Sequence, residues 1–360
     1  IHINTNVSCI NTDEPVMVSD YEYFFNRNVP IRILDLVAET FIEYANNVYI
    51  AFLWPSGKKN IKLAEEEFNN IIYKKNISLT SRGGFNLLLE LYKHMDWVGT
   101  LEEGYAGVKQ KLIECFPIFD DVTVIAFQKD SIDDVRMIKE RIRRINGIGY
   151  SSIHITDTKE EAIRISKLIF NDNGLHFLNY ANIEKFPINP ELRKIRLELT
   201  KMSLHPKNFL IDGSVVLSLY GLREHKDIDI LTTEDIPEGV MIFESHDSEL
   251  FFHKQNKEQL IYDSDFYFEY LGLKFVSFRQ LYLMKSNRAG KKDVIDTHMM
   301  QALINGNRLS IFINKKKQAF FYFKIKCSYL MRIKIIRFLR IMKLVTIAKF
   351  FYSILKKNKI

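Results

Sequence analysis

The sequence is poor in cysteine, in long apolar runs and, over its last sixth, in acid. Its three cysteines, Cys9, Cys115 and Cys327, are far apart and odd in number. That excludes a disulfide framework or a thiolate zinc cluster and makes a reducing cytosol the expected compartment. No stretch reaches the ~18 uncharged apolar residues a membrane-spanning helix needs. The opening segment, IHINTNVSCINTDEP, has neither a basic n-region nor an apolar h-region, so no signal peptide is expected. A start at Ile1 rather than Met leaves open that the chain is a fragment without its leader.

The third absence divides the molecule. All 44 Asp and Glu lie at or before Asp296, whereas 15 of the 51 Lys and Arg lie after it. The part up to Asp296 therefore carries 36 cations against 44 carboxylates, a charge of −8, and residues 297–360 carry +15. The modest overall charge of +7 averages two unlike parts. A strongly basic tail points to an acidic surface as partner: phospholipid, nucleic acid or another polyanion.

What is present is the composition of a folded chain. With 47% hydrophobic, 13% aromatic and 26% charged residues, disorder is excluded, and 360 residues suffice for two domains or more. The expected class is α/β. Apolar runs at 48–54 (VYIAFLW), 77–80, 122–127 (VTVIAF), 151–156 (SSIHIT) and 175–180 read as strands. Helical spacing is expected over 61–74, 85–97, 133–145 and 158–171, the last opened by Thr158 and Glu161 in a capping-box arrangement. Strands separated by helices imply a mostly parallel, covered sheet. The texture changes near Asn182–Pro190. The expected layout is an α/β domain over 1–185, a second α/β domain over 186–305 and a basic helical tail over 306–360.

Chemistry concentrates in FLIDGSVVLSLYGLREHKDIDIL, residues 209–231. A strand runs into Gly213-Ser214, which opens an apolar helix. Thirteen residues after Ser214 comes Asp227-Ile-Asp229 on an expected strand. Alternation places the two carboxylates on one face, about 7 Å apart, where they can hold Mg²⁺. Gly213 allows a phosphate to approach the backbone, and the helix start with the Ser214 hydroxyl can bind its oxygens. Metal-assisted nucleotidyl transfer needs both elements.

This pattern resembles the nucleotidyltransferase superfamily, and looks closest to the branch of AbiEii-like toxins and related minimal enzymes, over about residues 205–303. Residues 272–285 (GLKFVSFRQLYLMK) are similar to the family's later strand, turn and lysine-bearing helix, and Lys291-Lys292-Asp293-Val-Ile-Asp296 to its Lys-Asp-x-x-Asp segment. The resemblance implies Asp227 and Asp229 as metal ligands, Gly213 and Ser214 as phosphate contacts, Lys285 as a phosphate or nucleotide contact, and Mg²⁺ with a nucleoside triphosphate as cofactors. Arg223 is a candidate phosphate contact or simply a partner for Asp227 or Glu224. The family's third carboxylate is open among Glu244, Asp247, Asp263, Asp265 and Glu269, with Asp263 favoured by its place before the expected 266–278 hairpin. Asp212, directly before the glycine, adds a negative charge that a phosphate would tolerate only if the carboxylate faces away. The first half resembles proteins of bacterial capsule and lipopolysaccharide clusters, with no motif to carry the likeness.

The tail from Lys315 interleaves single cations (Arg332, Lys334, Arg337, Arg340, Lys343) with Phe, Tyr, Ile and Leu. That mixture suits an anionic bilayer surface better than nucleic acid, and a helix pair packed on the acidic body is the plainer alternative. The combined expectation is a Mg²⁺-dependent transferase, cytoplasmic and peripheral to the inner membrane, serving surface-polysaccharide or lipid-linked glycan assembly. The rivals are a toxin-type enzyme acting on tRNA or protein and a non-catalytic nucleotide-binding scaffold. Elsewhere, Trp54 and Trp97 are expected in the core, Arg82-Gly83-Gly84 as a turn, Cys115 as packing, and His154 as a satisfied core histidine with Asp157 at a helix start.

Overall fold

The computed structural model describes residues 30–182, 188–201, 204–235 and 243–341. The chain divides into two compact units, Ile1–Asn287 and Arg288–Ile360. Both sheets lie in the first unit, and the class is α/β.

The first sheet contains β1 (Val48–Leu53), β2 (Ile71–Ile77), β3 (Val122–Gln128) and β4 (Ile153–Ile155) in the order β2-β3-β1-β4. All three of its ladders are antiparallel, correcting the expected mostly parallel arrangement. Strands separated by helices do not by themselves fix strand direction. β1 and β3 are buried almost throughout because both their faces are covered, and coverage follows from where helices pack, whichever way the neighbouring strand runs. On one face Leu53, Ile125, Phe127, Ile153 and Ile155 pack against Val135, Ile138 and Ile142 of the helix Ile132–Asn146. Ser131 caps that helix through the Asp134 amide, and Gly147 ends it in the left-handed conformation.

Two local expectations change. The helix expected over 61–74 stops at Glu65, and its end becomes β2, paired with β3 from Ile71. The strand expected at 175–180 is a helix, Asp172–Tyr180, because the Asn171 side chain accepts from the amides of Asn173 and Gly174 and starts it. Its Phe177 stacks on Phe268 at 4.7 Å and meets Tyr220 edge-on at 5.9 Å, tying the first sheet's helices to the second sheet. Lys167, on the helix Lys159–Ile169, joins Glu39, Glu43 and Glu269 at 3.1, 3.2 and 3.3 Å. Burial works against that ammonium, but the three carboxylates outweigh it and push its pKa up.

The second sheet has the order β7-β6-β5-β9-β8. Its strands are β5 (Phe209–Asp212), β6 (Asp229–Thr232), β7 (Glu244–Ser245), β8 (Tyr267–Tyr270) and β9 (Leu273–Val276). β5–β6 and β8–β9 pair antiparallel, while β5–β9 and β6–β7 pair parallel. The sequence also reads as a strand near 240–243, which falls mostly outside the described residues.

In the second unit, the helices Lys291–Ile304 and Arg308–Ile341 pack together. Arg288 grips Asp293 with two bonds, Nη2–Oδ1 at 2.7 Å and Nε–Oδ2 at 2.9 Å, and Gln318 donates to Asp296 Oδ1 at 2.9 Å. No helix among the described residues is long and apolar enough to cross a membrane.

Candidate active site

The second sheet places three acidic residues in one row. Asp212 lies opposite Asp229 in the β5–β6 register, and Asp229 lies opposite Glu244 in the β6–β7 register. Residues directly opposite one another in a ladder project from the same face. Ile228 and Ile230, which alternate with them, are buried. The strand begins only at Asp229, so Asp227 belongs to the turn that enters it. Even so, Asp227, Asp229 and Glu244 each offer a carboxylate oxygen within 4.8 Å of the others. The third carboxylate beside the pair is thus Glu244. Asp263 instead follows the helix Lys257–Tyr262, stands exposed, and accepts from the Asp265 amide at 3.0 Å. Position before the hairpin favoured it in sequence, but β7 reaches β6 first, held by Glu244 N to Ile228 O and His246 N to Ile230 O, both 2.9 Å.

Glycine is required at 213. Its φ is +67°, and a Cβ there would meet Asp229 Oδ2 at 2.2 Å. The backbone leaving β5 therefore passes directly beside the Asp229 carboxylate. Ser214, the next residue, donates from Oγ to Asp227 Oδ1 at 3.2 Å. Gly213 and Ser214 are brought to the trio. Arg223 is buried with Nη1 on the Glu224 carbonyl at 3.1 Å. Lys285, on the helix Phe278–Arg288, is only 2% exposed and so does not present its ammonium to solvent.

Asp212 does face away from solvent. It is fully buried, and its Oδ1 takes the Gly213 amide at 2.7 Å. Its Oδ2 takes His246 Nδ1 at 2.7 Å and His253 Nε2 at 2.8 Å. Gln280 Nε2 lies 3.2 Å from His253 Nδ1 and 2.8 Å from the His253 carbonyl. An amide nitrogen only donates, so His253 Nδ1 accepts and its Nε2 carries the proton given to Asp212. Burial opposes the Asp212 charge, yet the two imidazoles overcome it and hold its carboxyl far below the usual range. Asp212 in turn raises His246, again against burial. The geometry fits this Asp–His–His group to positioning: it pins the Gly213 amide through one oxygen and β7 through the other. Sequence reasoning had no signal for the two histidines, which lie 34 and 41 residues away.

Asp229 has the opposite electrostatics. Burial and then the nearby Asp227, Asp212 and Glu244 push its carboxyl above its ordinary value, with only partial relief from His246. A half-buried carboxylate with two others beside it is a place where a divalent cation would be favoured.

Other sequence candidates resolve as structure. Arg82-Gly83-Gly84 is the first turn of the helix Ser81–Tyr92, capped by Thr80 through the Gly83 amide at 3.0 Å, not a turn between elements. Cys115 is buried and its thiol is pushed up to about 12 by burial, so it is packing. Trp54 is fully buried, but Trp97 is 45% exposed and is not in the core. His154 bonds Glu161 at 3.1 Å, while Asp157 takes Lys139 at 2.5 Å. Glu161 Oε2 accepts the Asp157 amide, so the start of the 159–169 helix is capped by Thr158 without the reciprocal glutamate bond to the cap residue.

No protein-family model, curated protein or solved structure matches this chain.

Proposed function

We propose that the chain is a Mg²⁺-dependent nucleotidyltransferase-like enzyme whose centre is Asp227, Asp229 and Glu244. The observation that carries this reading is the trio itself: three carboxylates with oxygens within 4.8 Å, beside a glycine that leaves room for no side chain. The donor set is all oxygen and suits a hard divalent ion. When bound, such an ion neutralises phosphate charge. This chain's own residues do the rest. Asp227 and Asp229 hold the ion from the turn and strand, and Glu244 completes the set from β7. The Gly213–Ser214 backbone supplies the surface a phosphate would approach. Arg223, bonded to the Glu224 carbonyl, steadies the segment that leads to Asp227. A nucleotide titration with Mg²⁺ tests the reading: binding in wild type and its loss in Asp227→Asn/Asp229→Asn support it, and absence of binding to ATP, CTP, GTP and UTP alike overturns it.

The helix Arg308–Ile341 supports a second element, docking on an anionic membrane surface. It spans 34 residues, about 50 Å at 1.5 Å each. Through its last described turns Leu330, Met331, Ile333, Ile335, Ile336 and Phe338 are all exposed, together with Arg332, Lys334 and Arg337. Apolar side chains and cations without one acid suit the boundary of headgroups and acyl chains, where cations snorkel and rings bury. A transferase held at a membrane face would meet lipid-linked or surface-glycan acceptors.

A further inference from the structure

The first unit contains a second concave site, distinct from the carboxylate trio, none of whose residues line it. A cavity of about 1230 Å³ opens between the helices Ser81–Tyr92 and Lys159–Ile169 and the turn from β8 to β9. It exceeds the ~300–1,000 Å³ usual for a single small ligand, which leaves room for several rings in series.

Its wall is charged yet balanced. Six Lys and Arg face six Asp and Glu. Many are spent on each other, as in Arg164 Nη1–Glu90 at 2.9 Å and Lys139–Asp157 at 2.5 Å. Such a wall has little net field for a polyphosphate, which needs uncompensated cations. It offers instead donors and acceptors fixed side by side. Beside them stand aromatic rings open to solvent. Trp97 is 45% exposed and rests on Tyr92, with ring centroids 5.1 Å apart. Tyr150 is 73% exposed, with the Arg143 guanidinium 4.3 Å from its ring centre. A tryptophan and a tyrosine held this way present flat apolar faces at small ordering cost.

The matching ligand has C–H faces for the rings and hydroxyls that both donate and accept, and carries no net charge. We propose that this cavity binds a neutral oligosaccharide, its sugar rings stacked on Trp97 and Tyr150 and its hydroxyls bonded to the ion pairs of the wall. The site stands independently of any chemistry at the trio.

The test is saturation-transfer NMR on the full chain with maltotriose, cellotriose and triacetylchitotriose, with ATP as the charged comparator. Transfer to the ring protons of at least one trisaccharide is expected. It should fall about five- to tenfold in Trp97→Ala and in Tyr150→Ala, as for loss of one stacking contact. It should persist in Trp97→Phe, which keeps a ring, and in Asp227→Asn/Asp229→Asn. Thermal unfolding of each variant establishes that it is folded. No transfer from any of the three sugars, undiminished transfer in both alanine variants, or displacement of the sugar by ATP in Asp227→Asn/Asp229→Asn would each overturn the proposal.

Discussion

The Gly213 Cα and the Asp229 carboxylate are so close that a β-carbon on the first would lie 2.2 Å from Oδ2 of the second. This pair fixes the distance between the strand that enters the site and the strand that bears its acids. Gly213→Ala must relieve both that overlap and a φ of +67°, a strain of about 1–3 kcal/mol. Urea denaturation should show a loss of that size, and Mg²⁺-nucleotide binding should fall more steeply than stability does, because the side chain that moves away is the proposed ligand Asp229.

Glu244→Gln should weaken Mn²⁺ or Mg²⁺ binding by at least about tenfold, as expected for loss of one charged ligand of three. Asp263→Asn should leave it unchanged. Calorimetric titration of the two variants side by side separates them, and equal effects would place the third ligand elsewhere.

The contrast between these two acids also shows what the sequence could reveal. Asp227 and Asp229 stand out because a Gly-Ser, a short apolar helix and a strand follow one another within twenty residues, and spacing alone relates them. Glu244 depends on a two-residue strand pairing with β6. Two residues carry no period, so no pattern in the chain marks it. The same holds for His246 and His253, whose role comes from a buried carboxylate on another strand. The positions of β1, β3 and β4 were legible from apolar runs, but β2, read as the end of a helix, and strand direction were not. The helix at 172–180 was hidden because its side chains, apolar on several faces, imitate a strand, and its signal is the single cap Asn171.

Asp212→Asn should cost about 3–5 kcal/mol, the usual result of removing one member of a buried charged cluster. The cluster also predicts a pH dependence. The folded-state pKa of Asp212 lies below its ordinary 3.8, so its contribution is complete above that pH and is lost as pH falls below it. His246 is raised, so its contribution is complete below 6.5 and is lost as pH rises through its folded value. Wild-type stability followed by thermal melting should therefore decline at both ends, and Asp212→Asn should flatten both limbs.

The helix Arg308–Ile341 should bring the chain down with anionic vesicles. Replacing Arg332, Lys334 and Arg337 by Ala removes about 1 kcal/mol each near a charged surface, so partitioning should drop about a hundredfold and become less salt-sensitive. Equal pelleting of wild type and this variant on phosphatidylserine vesicles would assign the helix to another partner.

The most direct test of the central reading is Mn²⁺ electron paramagnetic resonance of the full chain with and without ATP. Wild type is expected to remove free Mn²⁺ signal with a site that tightens when ATP is added, and Asp227→Asn/Asp229→Asn, folded by its melting curve, to remove neither more nor less than a nonspecific acidic surface would. Equal Mn²⁺ uptake by the two proteins, indifferent to ATP, would contradict it.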